Sequence, residues 1–114
     1  MEALFQHMDT VFIRVKHFER AVQWYESKLK LSVIWRTDLI AAFRAGDKTT
    51  ITLVQKDVVP DPFPIWNLYT PNIVHAHQVM TENGIKTSPI RDYGTVQMFD
   101  FTDVEGHLFN VCHY

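Results

Sequence analysis

The segment Phe99-Asp-Phe-Thr-Asp-Val-Glu-Gly-His-Leu-Phe-Asn-Val-Cys112 contains two apolar runs on either side of a tight Asp-Val-Glu-Gly turn. Asp and Gly suit this turn because an Asp side chain accepts hydrogen bonds from turn amides and Gly tolerates a positive φ. In a strand, alternation places Leu108, Asn110 and Cys112 on one face. The segment therefore predicts two strands around a turn, with the polar amide of Asn110 in an otherwise buried row.

The composition limits the class of protein. With 114 residues, 46% hydrophobic and 21% charged, the chain is large enough for one domain with a single core. The net charge of −2 comes without a basic run, so we expect neither nucleic acid nor a membrane as a partner. A single cysteine cannot form an internal disulfide, which favours a cytoplasmic location. Cys112 has no basic neighbour in sequence, so the pattern favours a core residue over a nucleophile.

The first half of the chain predicts one strand, one helix and three more strands. In the first strand, Val11, Ile13 and Val15 form a core face, and Thr10, Phe12 and Arg14 form the opposite face. A helical period with Ala21, Val22, Tyr25 and Leu29 on its apolar side follows, and Trp24 widens that side. The expected ranges are 10–16 for the first strand, about 18–30 for the helix, and 32–37, 40–44 and 49–55 for the later strands.

The second half repeats this order after a proline-rich connector. Three of the five prolines lie in the connector, where they exclude both helix and strand ladder. The next helix begins near Pro71, ends at Asn83-Gly84 and buries Ile73, Ala76, His77 and Met80. The expected strands are 65–70, 85–91, 96–102 and 107–112. Such internal repetition is a strong indication of how a chain is organised.

This order resembles the vicinal oxygen chelate superfamily of glyoxalases, bleomycin resistance proteins and extradiol dioxygenases. The strings that carry the resemblance are Val15–Tyr25, Ala45–Lys48, Val79–Ile85 and Asp103–His107. The resemblance implies an α+β fold in which two βαβββ modules form a cup-shaped mixed sheet with helices on its outer face. It implies one domain over 1–114, with module one at about 8–56, a connector at about 57–64 and module two at about 65–114.

The resemblance also implies four metal ligands, usually His, Gln or Glu, two from each module. These positions fall on Thr10, Thr52, Ile65 and Asn110. Isoleucine has no donor atom, and neutral hydroxyl and amide oxygens do not compensate a divalent cation for its lost hydration. We therefore expect no cofactor, while a divalent metal at a relocated site stays open. For the six histidines, surface or turn positions are favoured over ligation.

The resemblance gives Arg14 a role, because it matches a position that contacts a substrate carboxylate in glyoxalase I-like members. A solvated or ion-paired Arg14 fits the sequence equally well. Strand alternation directs Phe12, Asn67 and Tyr69 toward the same cavity. The expected ligand-binding residues are Thr10, Phe12, Arg14, Thr52, Asn67, Tyr69 and Asn110, and no catalytic residue is identified.

Three functions follow from these expectations. The leading one is a glyoxalase/bleomycin-resistance-like protein that holds a small organic molecule, anionic as one option, in the cup without the usual metal, for sequestration or metal-free chemistry. The alternative is a metal-dependent lyase, isomerase or dioxygenase with a shifted ligand set. The third is a dimerising accessory domain without a ligand. Whether the chain is an enzyme stays open, and family analogy predicts a homodimer.

Overall fold

The computed structural model describes residues 3–59 and 61–114. They fall into an N-terminal unit, Thr10–Ile65, and a C-terminal unit, which comprises Trp66–Tyr114 and the residues up to Asp9. Over the described residues, each unit has one α-helix and four strands in the order strand, helix, strand, strand, strand. The α+β class and the two βαβββ modules that the sequence predicts are confirmed.

In the N-terminal unit, β1 runs parallel to β4, and β3 is antiparallel to both β4 and β2. The helix α1 packs on one face of these strands, where Phe18 and Val22 meet Phe43 and Leu53 in a buried cluster. The elements are β1 (His7–Val15, which lies in this unit from Thr10 on), α1 (Phe18–Lys28), β2 (Ser32–Arg36), β3 (Ile40–Arg44), β4 (Thr50–Gln55) and one 3-10 turn (Lys56–Val58).

Helix α1 is shorter than the periodicity predicts, and fewer of its apolar side chains are buried. It ends at Lys28, and Lys30 takes a left-handed φ of 57° that leads the chain away from the helix. Trp24 and Leu29 were expected on the buried side, but their side chains are 49% and 47% exposed. The expectation was wrong because Phe18 and Val22 already provide the buried contact, and Leu29 lies beyond the last turn.

In the C-terminal unit, β5 is parallel to β8, and β7 is antiparallel to both β8 and β6. Helix α2 covers a cluster of Ile73, Ala76, Met80, Phe99 and Val111. The elements are β5 (Trp66–Tyr69), α2 (Ile73–Glu82), β6 (Arg91–Asp92), β7 (Gln97–Thr102) and β8 (Leu108–His113). Neither helix in the part of the chain that the structure describes is long and apolar enough to span a membrane.

The strand expected at 85–91 is almost entirely absent, and this prediction was wrong. Only Arg91–Asp92 pairs with β7, preceded by one isolated bridge between Thr87 and Phe101. Pro89 lacks the N–H that a ladder needs. Ser88 instead binds Asp100 through its own N–H and through its hydroxyl, at 2.9 and 2.8 Å.

Candidate functional site

The first two predicted site residues form a buried pair in the N-terminal unit. Thr10 on β1 and Thr52 on β4 are 4% and 5% exposed, and their hydroxyl oxygens lie 2.7 Å apart. This distance is that of a normal hydroxyl hydrogen bond. The two groups that the resemblance places at metal-ligand positions therefore bind each other.

Phe12 and Arg14 continue along the same face of β1, next to the chain segment that precedes β5. The ring of Phe12 meets the ring of Phe63 edge to face, with centroids 5.4 Å apart. The Arg14 Nη1 atom lies 3.5 Å from the Asp61 Oδ1 atom, and the two side chains are 30% and 84% exposed. Arg14 is thus ion-paired, as one of the two sequence interpretations allows.

A groove of about 430 Å³ lies beside Arg14 at the carboxyl ends of the parallel strands β1 and β4. Ligands bind at this end of the strands in many open sheets. The Gln55 side chain donates to Asp57 Oδ1 at 2.6 Å, and this hydrogen bond lowers the pKa of the Asp57 carboxyl. Three cationic and two acidic side chains contribute to the lining, which consists of Arg14, Lys16, Gln55, Lys56, Asp57, Val59 and Asp61.

The C-terminal unit brings two more predicted residues together. Asn67 on β5 and Asn110 on β8 are 2% and 3% exposed and lie opposite each other in the parallel register. Asn67 Nδ2 donates to Asn110 Oδ1 at 3.3 Å, and Asn110 Nδ2 donates to Asp100 Oδ1 at 2.8 Å. The amides therefore belong to one hydrogen-bonded row across β5, β8 and β7.

Sequence reasoning missed Asp100 and Arg91, which extend this row. Arg91 Nη1 donates to Asp100 Oδ2 at 3.0 Å, and this bond is the main cause that raises the pKa of Arg91. Asp100 lies directly opposite Asn110 in the antiparallel register. Counting residues outward from the turn that joins β7 to β8 pairs these two positions, so the sequence contained a signal for Asp100.

Tyr69, the last predicted residue, lies among other aromatic side chains. Its ring stacks on His7 at 5.2 Å and on His113 at 5.8 Å. Its hydroxyl donates to the Tyr114 carbonyl at 3.1 Å. Nearby, Cys112 is 1% exposed, and burial raises the pKa of its thiol, with the Asp9 carboxylate adding to the effect. Such a thiol is a poor nucleophile.

The four positions do not fit the metal that the family resemblance implies. Strand registers pair Phe12 with Thr52 and Asn67 with Asn110, so Ile65 is the counterpart of Thr10, and its side chain is 63% exposed. Every buried side-chain nitrogen and oxygen in residues 3–59 and 61–114 has a hydrogen-bond partner. Among the same residues, no group of three or more His, Cys, Asp and Glu side chains could hold a metal ion.

A family model described as Glyoxalase/Bleomycin resistance protein/Dioxygenase superfamily matches residues 7–111. No curated protein sequence matches the chain. The fold is similar to that of methylmalonyl-CoA epimerase from Mycobacterium tuberculosis, with a TM-score of 0.83 and 14% identity over 99% of this chain and 92% of that chain. The fold is also similar to that of a variant of Streptomyces coelicolor methylmalonyl-CoA epimerase in complex with 2-nitronate-propionyl-CoA. The TM-score is 0.79, with 11% identity over 96% of this chain and 97% of that chain. For the hypothetical protein BH1468 from Bacillus halodurans, the TM-score is 0.74, with 20% identity over 94% of this chain and 93% of that chain.

Proposed function

We propose that this chain, which belongs to the glyoxalase/bleomycin resistance protein/dioxygenase superfamily, binds a small organic anion without a metal ion. The resemblance that the sequence predicts is confirmed by the match over residues 7–111. One observation supports the metal-free part above all others: at the expected metal positions, Thr10 and Thr52 form a neutral hydrogen-bonded pair. Asn110 forms a second neutral pair with its neighbour Asn67, and the fourth position, Ile65, has no donor atom.

The chemistry of these pairs opposes metal binding. A cation at Thr10 and Thr52 would have to separate two hydroxyls that are 2.7 Å apart and would receive only neutral oxygens in return. At Asn110, both amide hydrogens point to protein oxygens, and the amide oxygen accepts a bond from Asn67. Buried charge needs compensating charge or strong ligands, and these groups supply neither.

The anion-binding part of the proposal rests on the groove beside Arg14. A guanidinium presents several donors in a fixed plane, which suits a carboxylate. Arg14 keeps 30% of its side chain exposed, and Lys16 and Lys56 line the same groove. Arg14 is the proposed ligand residue that pairs with the anion. The other residues that the sequence names do not line this groove and stay predictions.

Arg14→Ala tests this role. We expect the affinity for phenylacetate, used as a simple anionic probe, to fall about tenfold, since a hydrogen bond to a charged group is worth roughly 1.5–3 kcal/mol and 1.4 kcal/mol is tenfold. Lys48→Ala, which removes an exposed cation outside the groove, is the matched control. Titration followed by amide NMR shifts measures both affinities. Equal affinity of the Arg14→Ala variant and the wild type would contradict the role.

As part of the same proposal we expect a cytoplasmic homodimer. In the N-terminal unit, β2 is the last strand of its sheet, and Ile34 and Trp35 on it are 42% and 50% exposed. A sheet edge that carries large apolar side chains is usually covered by another surface. Sedimentation equilibrium tests this expectation: a dimer supports it, and a monomer at high micromolar concentration contradicts it.

A further inference from the structure

We infer that residues 61–65, called the strap below, occupy the place of the ligand on β1 and compete with it. In this inference, the Asp61 carboxylate takes the position of the ligand's anionic group on Arg14, and the Phe63 ring takes the position of its body on Phe12. The ligand class is therefore a small carboxylic acid with an aromatic body. The inference rests on the proposed function, because it concerns the same cation, Arg14, which lines the groove, and Phe12 two residues before it on β1.

The contact between Asp61 and Arg14 is one that another carboxylate can replace. Its 3.5 Å separation is longer than the 2.7–2.9 Å that is usual for a charged hydrogen bond. The Asp61 side chain is 84% exposed, so water competes with it for the guanidinium. Exposed ion pairs of this kind contribute little to stability. Displacing Asp61 therefore costs the fold little and frees the cation.

The contact between Phe63 and Phe12 occupies the place that we infer for the aromatic body of the ligand. The two rings meet at an interplanar angle of 82°, the edge-to-face geometry that aromatic pairs prefer. The strap is also held by its backbone, since the Phe12 N–H donates to the Ile65 carbonyl at 2.6 Å. Because Phe12 and Arg14 are two residues apart on one strand, they face the same side. One flat aromatic acid could satisfy both.

The charges in the groove favour an incoming anion once Asp61 is displaced. The described lining then has three cationic side chains and one acidic side chain, Asp57; the cations are Arg14, Lys16 and Lys56. The Asp57 carboxylate stays bound to Gln55 at 2.6 Å, and that Gln55 amide also donates to the Lys16 carbonyl. A monoanion would therefore enter a groove with an excess of positive charge.

The test compares two strap variants with a matched groove variant. We expect Asp61→Asn to bind phenylacetate about two- to fivefold more tightly than the wild type, the range set by an exposed ion pair. Its affinity for the neutral phenylacetamide should not change. Phe63→Ala should bind both probes more tightly, because the ring no longer competes for Phe12. Asp57→Asn removes the same charge without touching Arg14 and should give a smaller gain. Amide NMR titrations measure each affinity.

Several outcomes would overturn the inference. Equal gains for Asp61→Asn and Asp57→Asn would mean that net charge alone matters. Weaker binding to Phe63→Ala would mean that the ring holds the ligand. If the Asp61→Asn variant keeps its fold but its affinity for phenylacetate does not rise, the strap does not compete. The same follows if this variant binds no phenylacetate at millimolar concentration. If Arg14→Ala lowers the affinity for phenylacetate and Asp61→Asn leaves it unchanged, the proposed function stands and the inference about the strap fails. An unchanged Arg14→Ala removes the proposed function itself.

Discussion

At the scale of single residues, the buried polar groups of the candidate site are bound to one another. Asn110 donates to Asp100 and to the Phe99 carbonyl and accepts from Asn67. Strand alternation directs Asn67 toward the cavity, and the family resemblance places Asn110 at a ligand position. Their direct contact depends on the strand register, which a single sequence does not contain, and the same holds for Arg91 on Asp100.

We expect Asn110→Leu to lower the free energy of unfolding by about 2 kcal/mol, because it removes the buried bonds that Asn110 makes to Asn67 and to Asp100. Urea unfolding followed by circular dichroism measures the change. Thr95→Val, at an exposed position, is the control and should shift stability by less than about 0.5 kcal/mol. A loss no larger than that of the control would show that the row contributes no stability.

Cys112 should be inert in the folded protein. Its thiol is buried, and burial together with the Asp9 carboxylate raises its pKa, so the reactive thiolate is scarce at neutral pH. We expect reaction with a thiol reagent at pH 8 to be orders of magnitude slower for the native protein than in denaturant. The release of chromophore with time measures this. Equal rates in the two conditions would contradict the burial of Cys112.

At the scale of elements, the sequence predicts what local chemistry determines. Helix α2 ends where Asn83-Gly84 predicts, and the Asp103 turn forms with Gly106 at a φ of 89°. Pro89 is a local signal against a strand at 85–91, because it has no N–H for the ladder. The bonds of Ser88 to Asp100 and to the His77 ring are tertiary contacts, which the sequence does not contain.

The start of α2 depends on a cap that the sequence analysis did not name. The Asn72 side chain accepts a hydrogen bond from the His75 N–H at 3.1 Å. We expect Asn72→Ala to cost about 1 kcal/mol, the usual contribution of such a cap. Asn83→Ala, at the other end of the same helix, is the matched control. Urea unfolding that gives the same loss for both variants would contradict the capping role.

The turn between β7 and β8 should lose stability in acid. Asp103 Oδ1 accepts from the N–H groups of Glu105 and His107, and the bonds to His107 are the largest cause that lowers the pKa of this carboxyl. Because the pKa is lower in the folded state than the ordinary 3.8, the stabilisation is complete above that value. It is lost as the pH falls through the folded pKa.

We therefore expect the melting temperature of Asp103→Asn to lie below that of the wild type at about pH 6 and to approach it at about pH 3. Asp47→Asn, on the exposed turn before β4, controls for the removal of one surface charge. Thermal melts across this pH range measure the difference. A difference that stays constant with pH would show that the Asp103 charge does not hold the turn.

At the scale of the whole molecule, the sequence predicts the two modules because the hydrophobic period changes in the same order twice. The family was predicted from the resemblance of four short strings together with this order. The sequence indicates the function less clearly than the fold. At the positions where the family resemblance implies metal ligands, this chain has other residue types. Residues 61–64 of the strap were expected only as a connector and Ile65 as the start of a strand. Nothing local indicates that Asp61 and Phe63 reach Arg14 and Phe12. The cup itself stays a prediction.

The central claim is that this member of the superfamily works without a metal. The most direct test is elemental analysis of untagged protein after incubation with Ni²⁺, Zn²⁺, Fe²⁺ or Mn²⁺ and removal of free ions. We expect only trace metal, because the Thr10 and Thr52 hydroxyls bind each other and the neutral Asn110 amide oxygen already accepts from Asn67. About one ion per chain, retained through gel filtration, would contradict the claim and favour a metal-dependent enzyme with a relocated site.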